Sequence, residues 1–334
     1  MALPPKIRNI DKQRREKRER LARVRVLLAD RDNRTATLVH RILFSFGFRR
    51  IDLVTSGEEA LAHLRENQYD LIITEWNMSP IDGVTLVKEI RTARADKRIR
   101  RDIPIIMLTA LADRDHVEAA RDAGITEYII KPFTARTMSH RIIAVIDNPR
   151  SFVEAGDYVG PCRRRRELPS GQGIERRVLE PTYVMPLNDA LRQRLGSAVE
   201  ILTEEAVQEA QIELMKAEAE FVEWARDDIG KLESAYALLR QRPGDKLGHQ
   251  QLLDAAYSIK AQAGIFGYDL GTGVGSMLVH YLTTNTDLRD ERLTVVGKHI
   301  DAIVVIFTQQ IKDSGQAIGQ ELVNSLRALT RKLG

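Results

Sequence analysis

Carboxylate, hydroxyl and ammonium groups follow the short apolar segments in the first half of the chain. Asp30 and Glu75 each come directly after such a segment, and Thr109 and Lys131 follow two others. Carboxylates can ligate a divalent cation, and a lysine can pair with a phosphoryl group, so this set suits the chemistry of metal and phosphate. Whether the four side chains meet depends on the elements that carry them.

An alternation of apolar strands and amphipathic helices carries these residues. We predict strands over 24–29, 51–54, 70–75, 103–108 and 127–130, and helices over 35–46, 57–66, 84–94, 114–123 and 136–146. Strands with continuous apolar centres, each followed by a helix, form a parallel sheet with both faces covered. The sequence therefore predicts a five-stranded, doubly wound α/β domain whose polar side chains gather at the carboxyl ends of the strands.

The segments around these positions resemble the receiver domains of response regulators over residues 24–147. The matching segments are Leu27-Leu-Ala-Asp30, Asp70-Leu-Ile-Ile-Thr-Glu75, Met107-Leu-Thr-Ala110 and Tyr128-Ile-Ile-Lys-Pro-Phe133. The resemblance implies a flavodoxin-like receiver fold and a role in two-component signalling.

The resemblance also implies a role for each pocket position. Glu75 stands where receivers carry the phosphorylated aspartate. Thr109 matches the switch hydroxyl, and Lys131 matches the lysine that pairs with the phosphoryl group. Tyr128 matches the aromatic residue that swings inward on activation.

Only half of the acidic pair that holds magnesium in receivers is present. Asp30 matches its first residue, whereas Arg31 stands at the second. Three carboxylates around one lysine leave about two negative charges for a divalent cation, but here Asp30 and Glu75 face Arg31 and Lys131. We therefore expect no cofactor, at most weak magnesium binding at Asp30, and no efficient phosphorylation. A shift of one residue would instead let Asp32 serve as the second ligand.

Two interpretations of Glu75 stay open. In the first, Glu75 imitates a phosphorylated aspartate, draws Thr109 and Tyr128 inward and fixes the active surface. In the second, the pocket has decayed and Glu75 only pairs with Lys131 and Arg31. Under both interpretations, signalling does not depend on phosphate at this site.

Length and composition indicate two domains and no membrane span. The chain has 334 residues, a net charge of +4 and one cysteine, Cys162. No apolar run of about 18 residues occurs, and a single cysteine excludes an internal disulfide, so we expect a cytoplasmic protein. We predict a basic N-terminal helix or tail over 1–22, a receiver over 23–148, a Pro- and Gly-containing basic linker over 149–185 and a helical bundle over 186–334.

Basic residues cluster over 6–25, 91–101 and 163–166. Such clusters can bind nucleic acid, but aromatic residues are not interleaved with them, as single-stranded nucleic acid would require. We interpret the clusters as solvated tail and linker segments and expect no nucleic-acid partner.

The second half predicts an up-and-down helical bundle. A long helix carries an apolar stripe made of Ile212, Met215, Ala219, Val222, Ile229, Leu232, Tyr236 and Leu239. Further helices are predicted over 247–266, 274–282, 293–311 and 317–333.

Residues 256–268 resemble the phosphorylated helix of histidine phosphotransfer domains. Tyr257 stands at the histidine position, and Lys260 keeps the lysine that follows it. With Tyr257 there, transfer through an imidazole is impossible, but Ala261 and Gly264 would keep the surface low for an approaching receiver. The other interpretation is an ordinary Ala- and Gly-rich core helix. His280, on the next helix, is an alternative phosphate acceptor, and the seven histidines show no paired metal spacing.

These features predict a non-enzymatic adaptor that docks a histidine kinase, a receiver or a phosphotransfer domain. Its bundle could also fold onto its own receiver. One alternative is a conventional response regulator that still accepts phosphate and uses the bundle as output. A second is a nucleic-acid-binding regulator that uses its basic tail, although the second half lacks a helix-turn-helix pattern. The oligomeric state is not predicted.

Overall fold

The structure is a computed structural model that describes residues 19–111, 114–163, 183–185, 190–311, 321 and 323–328. The chain divides into two compact units, the first up to Leu214 and the second from Met215. The sequence predicts the second domain from residue 186, so the first unit extends further along the chain than predicted. The reason is that Leu191, Leu195 and Ala198 are buried in the first unit.

The first unit begins with alternating strands and helices. The strands are β1 (Arg25–Ala29), β2 (Arg50–Val54), β3 (Leu71–Thr74), β4 (Ile105–Thr109) and β5 (Glu127–Ile130). The helices are α1 (Asn33–Phe46), α2 (Gly57–Glu66), α3 (Gly83–Thr92), α4 (Arg114–Ala123) and α5 (Ala135–Asp147). Every element predicted over 24–146 is present, and its ends differ from the prediction by at most two residues.

Within the described residues, these five strands form one parallel sheet in the order β2-β1-β3-β4-β5. Leu27, Ile72 and Ile105 pack in one cluster with side chains of α2, α3 and α4. Val26 and Ile106 are equally buried and point to the opposite face, because side chains alternate along a strand. Both faces of the sheet are therefore covered, and the predicted doubly wound α/β fold is confirmed.

The strand order creates a crevice at the carboxyl ends of β1 and β3. Successive connections leave β1 toward β2 on one side and reach β3 on the other, so the order reverses at β1. In open α/β sheets, ligands bind at such a switch point. Asp30 and Glu75 directly follow these two strands.

Polar caps fix where the helices of this unit begin. Asp32, Ser56, Asp82 and Thr134 each accept a hydrogen bond from a backbone amide in the first turn of the helix that they precede. Gly47 ends α1 with a φ of 112°, a left-handed conformation that glycine adopts without steric cost.

Where the sequence predicts a linker, over 149–185, the structure contains strands. β6 (Phe152–Ala155) and β7 (Tyr158–Pro161) form an antiparallel hairpin, and β8 (Tyr183–Met185) pairs with the other side of β6. The linker prediction fails here because strands of three or four residues are too short to show a clear alternation. Residues 164–182 and 186–189 lie outside the described residues.

The second predicted basic cluster holds this hairpin. Arg91 is only 1% exposed, donates to the Gly124 carbonyl at 2.9 Å and lies 5.5 Å from the centre of the Phe152 ring. Arg101 pairs with Glu154 of β6 at 2.5 Å. Burial lowers the pKa of Arg91 to about 9. These arginines join the hairpin to the sheet domain, which corrects the expectation of a solvated segment.

The second unit is helical, as predicted. After α6 (Ala190–Leu195) of the first unit come α7 (Glu204–Gln241), α8 (Lys246–Ile265), α9 (Asp269–Thr284) and α10 (Asp290–Thr308). Residues 323–328 are also helical. Helix α7 contributes its first turns to the first unit and the remainder to the second. The predicted helix over 317–333 lies partly outside the described residues.

The apolar stripe predicted for α7 is wrong at Ile212 and Met215, and the side chains of Ala219 and Val222 lie outside the described residues. Ile212 and Met215 are 52% and 61% exposed. The buried positions are instead Ala217, Phe221 and Ala225. The Phe221 ring stacks on Phe266, with centroids 4.6 Å apart. This aromatic contact decides which of the two possible apolar faces of α7 is buried.

Among the described residues, no helix is long and apolar enough to cross a membrane.

Candidate functional site

The carboxyl ends of β1, β3, β4 and β5 bring Asp30, Glu75, Thr109 and Lys131 to one edge of the sheet. Two backbone bonds continue the ladder past the strand ends. The Glu75 amide donates to the Ala29 carbonyl, and the Lys131 amide donates to the Thr109 carbonyl, each at 2.8 Å. The four side chains predicted from the sequence are all buried.

Lys131 contacts both carboxylates of the pocket. Its Nζ atom lies 2.5 Å from Oε2 of Glu75 and 3.4 Å from Oδ2 of Asp30. The side chains of Lys131, Asp30 and Glu75 are 1%, 3% and 8% exposed. A buried charge without a partner is costly, so each of these groups depends on the others.

The second carboxylate oxygen of Glu75 is held by the turn that follows β3. Oε1 accepts a hydrogen bond from the Trp76 amide at 2.7 Å, and the Asn77 amide lies 3.4 Å away. Both oxygens of Glu75 are therefore engaged inside the protein. Sequence reasoning missed these amides, because a backbone donor leaves no trace in residue type; the turn-forming residues after Glu75 were the available signal.

Asp32 caps α1 with both of its carboxylate oxygens. Oδ1 accepts from the Arg34 amide and Oδ2 from the Thr35 hydroxyl, each at 3.0 Å. The Asp32 amide in turn donates to Oδ1 of Asp30 at 2.9 Å. Arg31 is half-buried between these two residues. The carboxylate oxygens of the acidic segment after β1 are thus largely used in hydrogen bonds that begin α1.

The charged groups at the centre of the pocket shift the pKa values of Asp30 and Lys131. Burial raises the pKa of Asp30 to about 7; Lys131 opposes this shift and Glu75 adds to it. Burial disfavours the charge on Lys131, but Asp30 and Glu75 outweigh burial and raise the pKa of Lys131. At neutral pH the pocket therefore contains a charged Lys131, and Asp30 is close to the midpoint of its titration.

Comparison with known proteins places this pocket in a family. Residues 26–143 match the family model of the response regulator receiver domain. The chain is 32% identical over 124 residues to the chemotaxis protein CheY-3 of Vibrio cholerae, covering 37% of this chain and 92% of that protein. The chain belongs to the response regulator receiver family. It is also 31% identical to the chemotaxis protein CheY of Pseudomonas aeruginosa, covering 97% of that protein.

Solved receiver structures are similar over the same part of the chain. A putative response regulator from Chloroflexus aurantiacus is 31% identical, with a TM-score of 0.34, and the match covers 37% of this chain and 98% of that one. The receiver domain of the sensor histidine kinase PA1611 from Pseudomonas aeruginosa is 31% identical, with a TM-score of 0.32, and covers 36% and 95%.

Tyr128 of the receiver points toward the interior. Its half-buried ring packs against the core cluster below α3 and α4, and its hydroxyl donates to the Leu111 carbonyl. The Leu111 amide donates to the hydroxyl oxygen of Thr109 at 3.3 Å. Tyr128 and Thr109 are therefore joined through a single residue of the β4–α4 loop.

Trp76 follows Glu75 directly in the β3–α3 turn and packs against the core of the sheet domain. Its indole meets the His116 ring of α4 edge-on, with centroids 4.9 Å apart. Its amide binds Glu75 directly. The indole therefore lies where a change in the pocket alters its surroundings.

The residues predicted for the phosphotransfer-like face lie on α8 but are not equally accessible. Tyr257, Lys260 and Ala261 are half-buried, whereas Gly264 is buried. A Cβ atom on Gly275 of α9 would lie 3.2 Å from the Cα atom of Lys260. Helix α9 thus packs closely on this side of α8. The expectation that Gly264 keeps an exposed surface low is wrong, because Gly264 lies in the packed interior.

A polar network in the second unit was not anticipated. Asp228 of α7 is 2% exposed and accepts hydrogen bonds from Ser258 at 2.8 Å and Gln262 at 3.1 Å. Lys231 pairs with its other oxygen at 2.9 Å. The signal in the sequence for this network was that Asp228 falls at the three- and four-residue spacing of the buried apolar residues of α7.

In the part of the chain that the structure describes, no group of three or more His, Cys, Asp or Glu side chains is placed to hold a metal ion. His280 of α9 is exposed.

Proposed function

We propose that this protein is a non-enzymatic adaptor of two-component signalling whose receiver docks partners without accepting phosphate. The observation that carries the proposal is the contact of 2.5 Å between Lys131 and Glu75. The lysine that the family uses to bind a phosphoryl group is already neutralised by a carboxylate of the protein itself. The partners we propose are a histidine kinase, a receiver or a phosphotransfer domain, in the cytoplasm.

The surroundings of Glu75 argue against phosphoryl transfer to it. Both of its oxygens are engaged, one by Lys131 and one by the Trp76 amide. Glutamate is also one methylene longer than aspartate, so its carboxylate reaches into the space that a phosphoryl group would fill. A phosphodonor would have to displace a buried, charge-assisted hydrogen bond before it could react.

The donor set of the pocket fits magnesium poorly. Magnesium needs several oxygen ligands in near-octahedral geometry. Oδ1 of Asp30 accepts from the Asp32 amide, and Lys131 approaches Oδ2. The oxygens of Asp32 cap α1, and Arg31 brings a positive charge to the same segment. We therefore propose that the receiver functions without magnesium.

The inward position of Tyr128 supports the interpretation that Glu75 imitates a phosphorylated aspartate, rather than the interpretation that the pocket has decayed. Its hydroxyl reaches the Leu111 carbonyl, and the adjacent amide reaches Thr109. The family draws the aromatic residue inward on activation, and here Tyr128 is inward while Glu75 binds Lys131. We propose that Glu75, while it is paired with Lys131, holds the receiver in its signalling conformation.

The mass of the intact chain, after incubation with magnesium and acetyl phosphate, tests the proposal. We expect the wild-type mass to stay unchanged. The double variant Arg31→Asp, Glu75→Asp restores the acidic pair and the shorter acceptor, and we expect it to gain one phosphoryl group that depends on magnesium. A magnesium-dependent gain by the wild type, mapped to the pocket, would rule the proposal out.

Fluorescence of Trp76 reports on magnesium separately. The chain has two tryptophans, and Trp76 lies against the pocket. We expect no magnesium-dependent change in wild type and a saturable change in the double variant. Trp76→Phe removes the reporter and shows what Trp224 contributes. A saturable wild-type response at millimolar magnesium contradicts the proposed absence of metal.

A further inference from the structure

Residues 190–211, which we call the strap, lie along α5 of the receiver within the first compact unit. Arg194 pairs with Asp70 at 2.9 Å, next to the start of β3. The apolar side chains that the strap buries are Leu191, Leu195, Ala198, Ile201, Leu202, Ala206, Val207 and Ala210. The strap lies beyond the residues that match the receiver family model, so it is an addition to the family domain.

One end of α5 holds the strap through a carboxylate. Asp147, the last residue of α5, accepts from the Ala198 amide at 2.7 Å, the Ser197 hydroxyl at 2.9 Å and the Val199 amide at 3.1 Å. Charge-assisted bonds of this kind are the stronger class of hydrogen bond. This end is a firm anchor.

The other end of α5 holds the strap more weakly. The Arg136 guanidinium makes two bonds to the Glu204 carboxylate, at 2.8 and 2.6 Å, but the two side chains are 56% and 63% exposed. Exposed ion pairs add little to stability. The Gln211 amide oxygen accepts from the Ala135 amide at 3.2 Å.

Between the two ends, α5 and the strap are not in full contact. An open cavity of about 450 Å³ separates them, lined in part by Ile143, Ala144, Val199, Leu202 and Val207. Protein interiors are normally packed without such gaps. Release of the weaker end exposes Ala206, Val207 and Ala210, but it opens an interface that the cavity already interrupts.

The weaker end lies next to the receiver pocket. Ala135 follows Lys131 by four residues, and Phe133 and Ala135 are 3% and 0% exposed. Glu75 fixes Lys131 at one end of this short segment, in which Pro132 and Thr134 are exposed, and Gln211 binds the Ala135 amide at the other. Residues 131–135 therefore connect the pocket directly to the bond that holds the strap.

We propose that the strap is a displaceable cover of α5 whose weaker end is held only while Glu75 pairs with Lys131. Loss of the pair shifts the β5–α5 segment, weakens the bond from Ala135 to Gln211 and lets residues 204–211 leave α5. The inference rests on the proposed docking function, since the uncovered helix matters to a partner. Release of the strap would regulate access of a partner to α5.

Hydrogen exchange of the full chain, followed by mass spectrometry, tests the strap. Glu75→Gln keeps the size of the side chain and removes its charge. We expect amides of residues 204–211 to exchange several-fold faster than in wild type, with amides of α8 unchanged. Glu59→Gln is the matched control, because Glu59 accepts from Thr55 on α2 and has no contact with Lys131 among its described partners. Exchange of 204–211 equal to wild type in Glu75→Gln overturns the proposal.

A second variant keeps the test decisive if Glu75→Gln perturbs the whole receiver. Gln211→Ala removes the acceptor of the Ala135 amide and leaves the pocket intact. We expect faster exchange over 204–211 and no further increase when Glu75→Gln is added to it, since both act on one contact. Independent, additive increases overturn the coupling. Phosphorylation of the wild-type chain would remove the proposed function yet leave these exchange results standing, so the two failures are distinguishable.

Discussion

The pocket of this receiver combines a buried lysine with two buried carboxylates that lie at different distances from it. Glu75 makes the short contact with Lys131, whereas Asp30 lies 3.4 Å away. Burial therefore dominates at Asp30 and raises its pKa to about 7. The protonation of Asp30 changes near neutral pH, which gives the pocket a measurable signature.

The stability contributed by Asp30 depends on pH with a defined sign. Its pKa is raised in the folded state, so the stability linked to its proton is fully present below pH 3.8 and is lost as the pH rises through about 7. We expect the unfolding free energy of wild type, relative to Asp30→Asn, to fall by a few kcal/mol, about 2–4, across this window. Urea unfolding of both proteins over a pH series measures it.

Asp52 supplies a control of opposite sign. Burial by itself would raise the pKa of Asp52. The hydrogen bonds from the Tyr69 hydroxyl and from Arg25 outweigh burial and lower this pKa. The stability linked to Asp52 is therefore present above its unfolded pKa and is lost on acidification. Relative to Asp52→Asn, the wild type should gain stability as the pH rises. A flat profile for Asp30 beside a rising one for Asp52 contradicts the assigned state of Asp30.

Substitution of Lys131 should strongly reduce the free energy of unfolding. Lys131→Met leaves two buried carboxylates without a cation, and breaking a buried pair in this way costs about 3–5 kcal/mol. Chemical unfolding monitored by circular dichroism measures the loss. Lys298→Met is the control, because Lys298 and Asp301 are 60% and 67% exposed, and its effect should stay below about 1 kcal/mol. Equal, small effects of both changes would mean that the pocket is not closed to water.

At the scale of elements, close backbone contacts set how the turns fit the sheet. Helix α3 begins against the residue that fills the pocket, since a Cβ atom on Gly83 would lie 2.1 Å from the Glu75 carbonyl oxygen. The Gly83 amide also donates to the Trp76 carbonyl at 2.8 Å. The turn after β3 is therefore folded back over Glu75 and holds it in place.

Alanine at two glycines should act in opposite directions. Gly83→Ala forces a methyl group into the backbone of Glu75, and we expect a loss of about 2–3 kcal/mol. Gly273→Ala in α9 meets nothing within 4 Å and should stabilise by up to about 1 kcal/mol through helix propensity. Thermal unfolding of the two variants measures the difference. A neutral Gly83→Ala would show that the β3–α3 turn relaxes freely.

At the scale of the whole molecule, the chain contains two compact units that meet in sequence within α7. The first contains the receiver, the hairpin and the strap, and the second is formed by the remaining helices. The hairpin and the strap lie outside the family match over 26–143. The first compact unit is therefore larger than the family domain.

The first unit should fold without the second. A chain that ends at Leu214 keeps the sheet, the hairpin and the strap contacts, and we expect it to unfold cooperatively near the temperature of the receiver transition in the full chain. Differential scanning calorimetry of both chains measures this. A matched chain ending at Asn148 lacks the hairpin that covers Arg91, and we expect it to melt earlier. An unfolded chain ending at Leu214 would contradict the division.

The sequence by itself determined the alternation of strands and helices, the doubly wound fold and the placement of Asp30, Glu75, Thr109 and Lys131 at one edge of the sheet. Hydrophobic periodicity and capping act over a few residues, so the order of residues records them. The helices of the second unit were predictable for the same reason.

Only the tertiary structure decided which of these residues are partners and which are buried. Glu75 and Lys131 are 56 residues apart in the chain, and their short contact follows from strand order and from the turn that supplies the Trp76 amide. Arg91 is typical of exposed positions by residue type, yet it is buried. Burial and pairing are set by contacts between distant segments, which residue type and local spacing do not record.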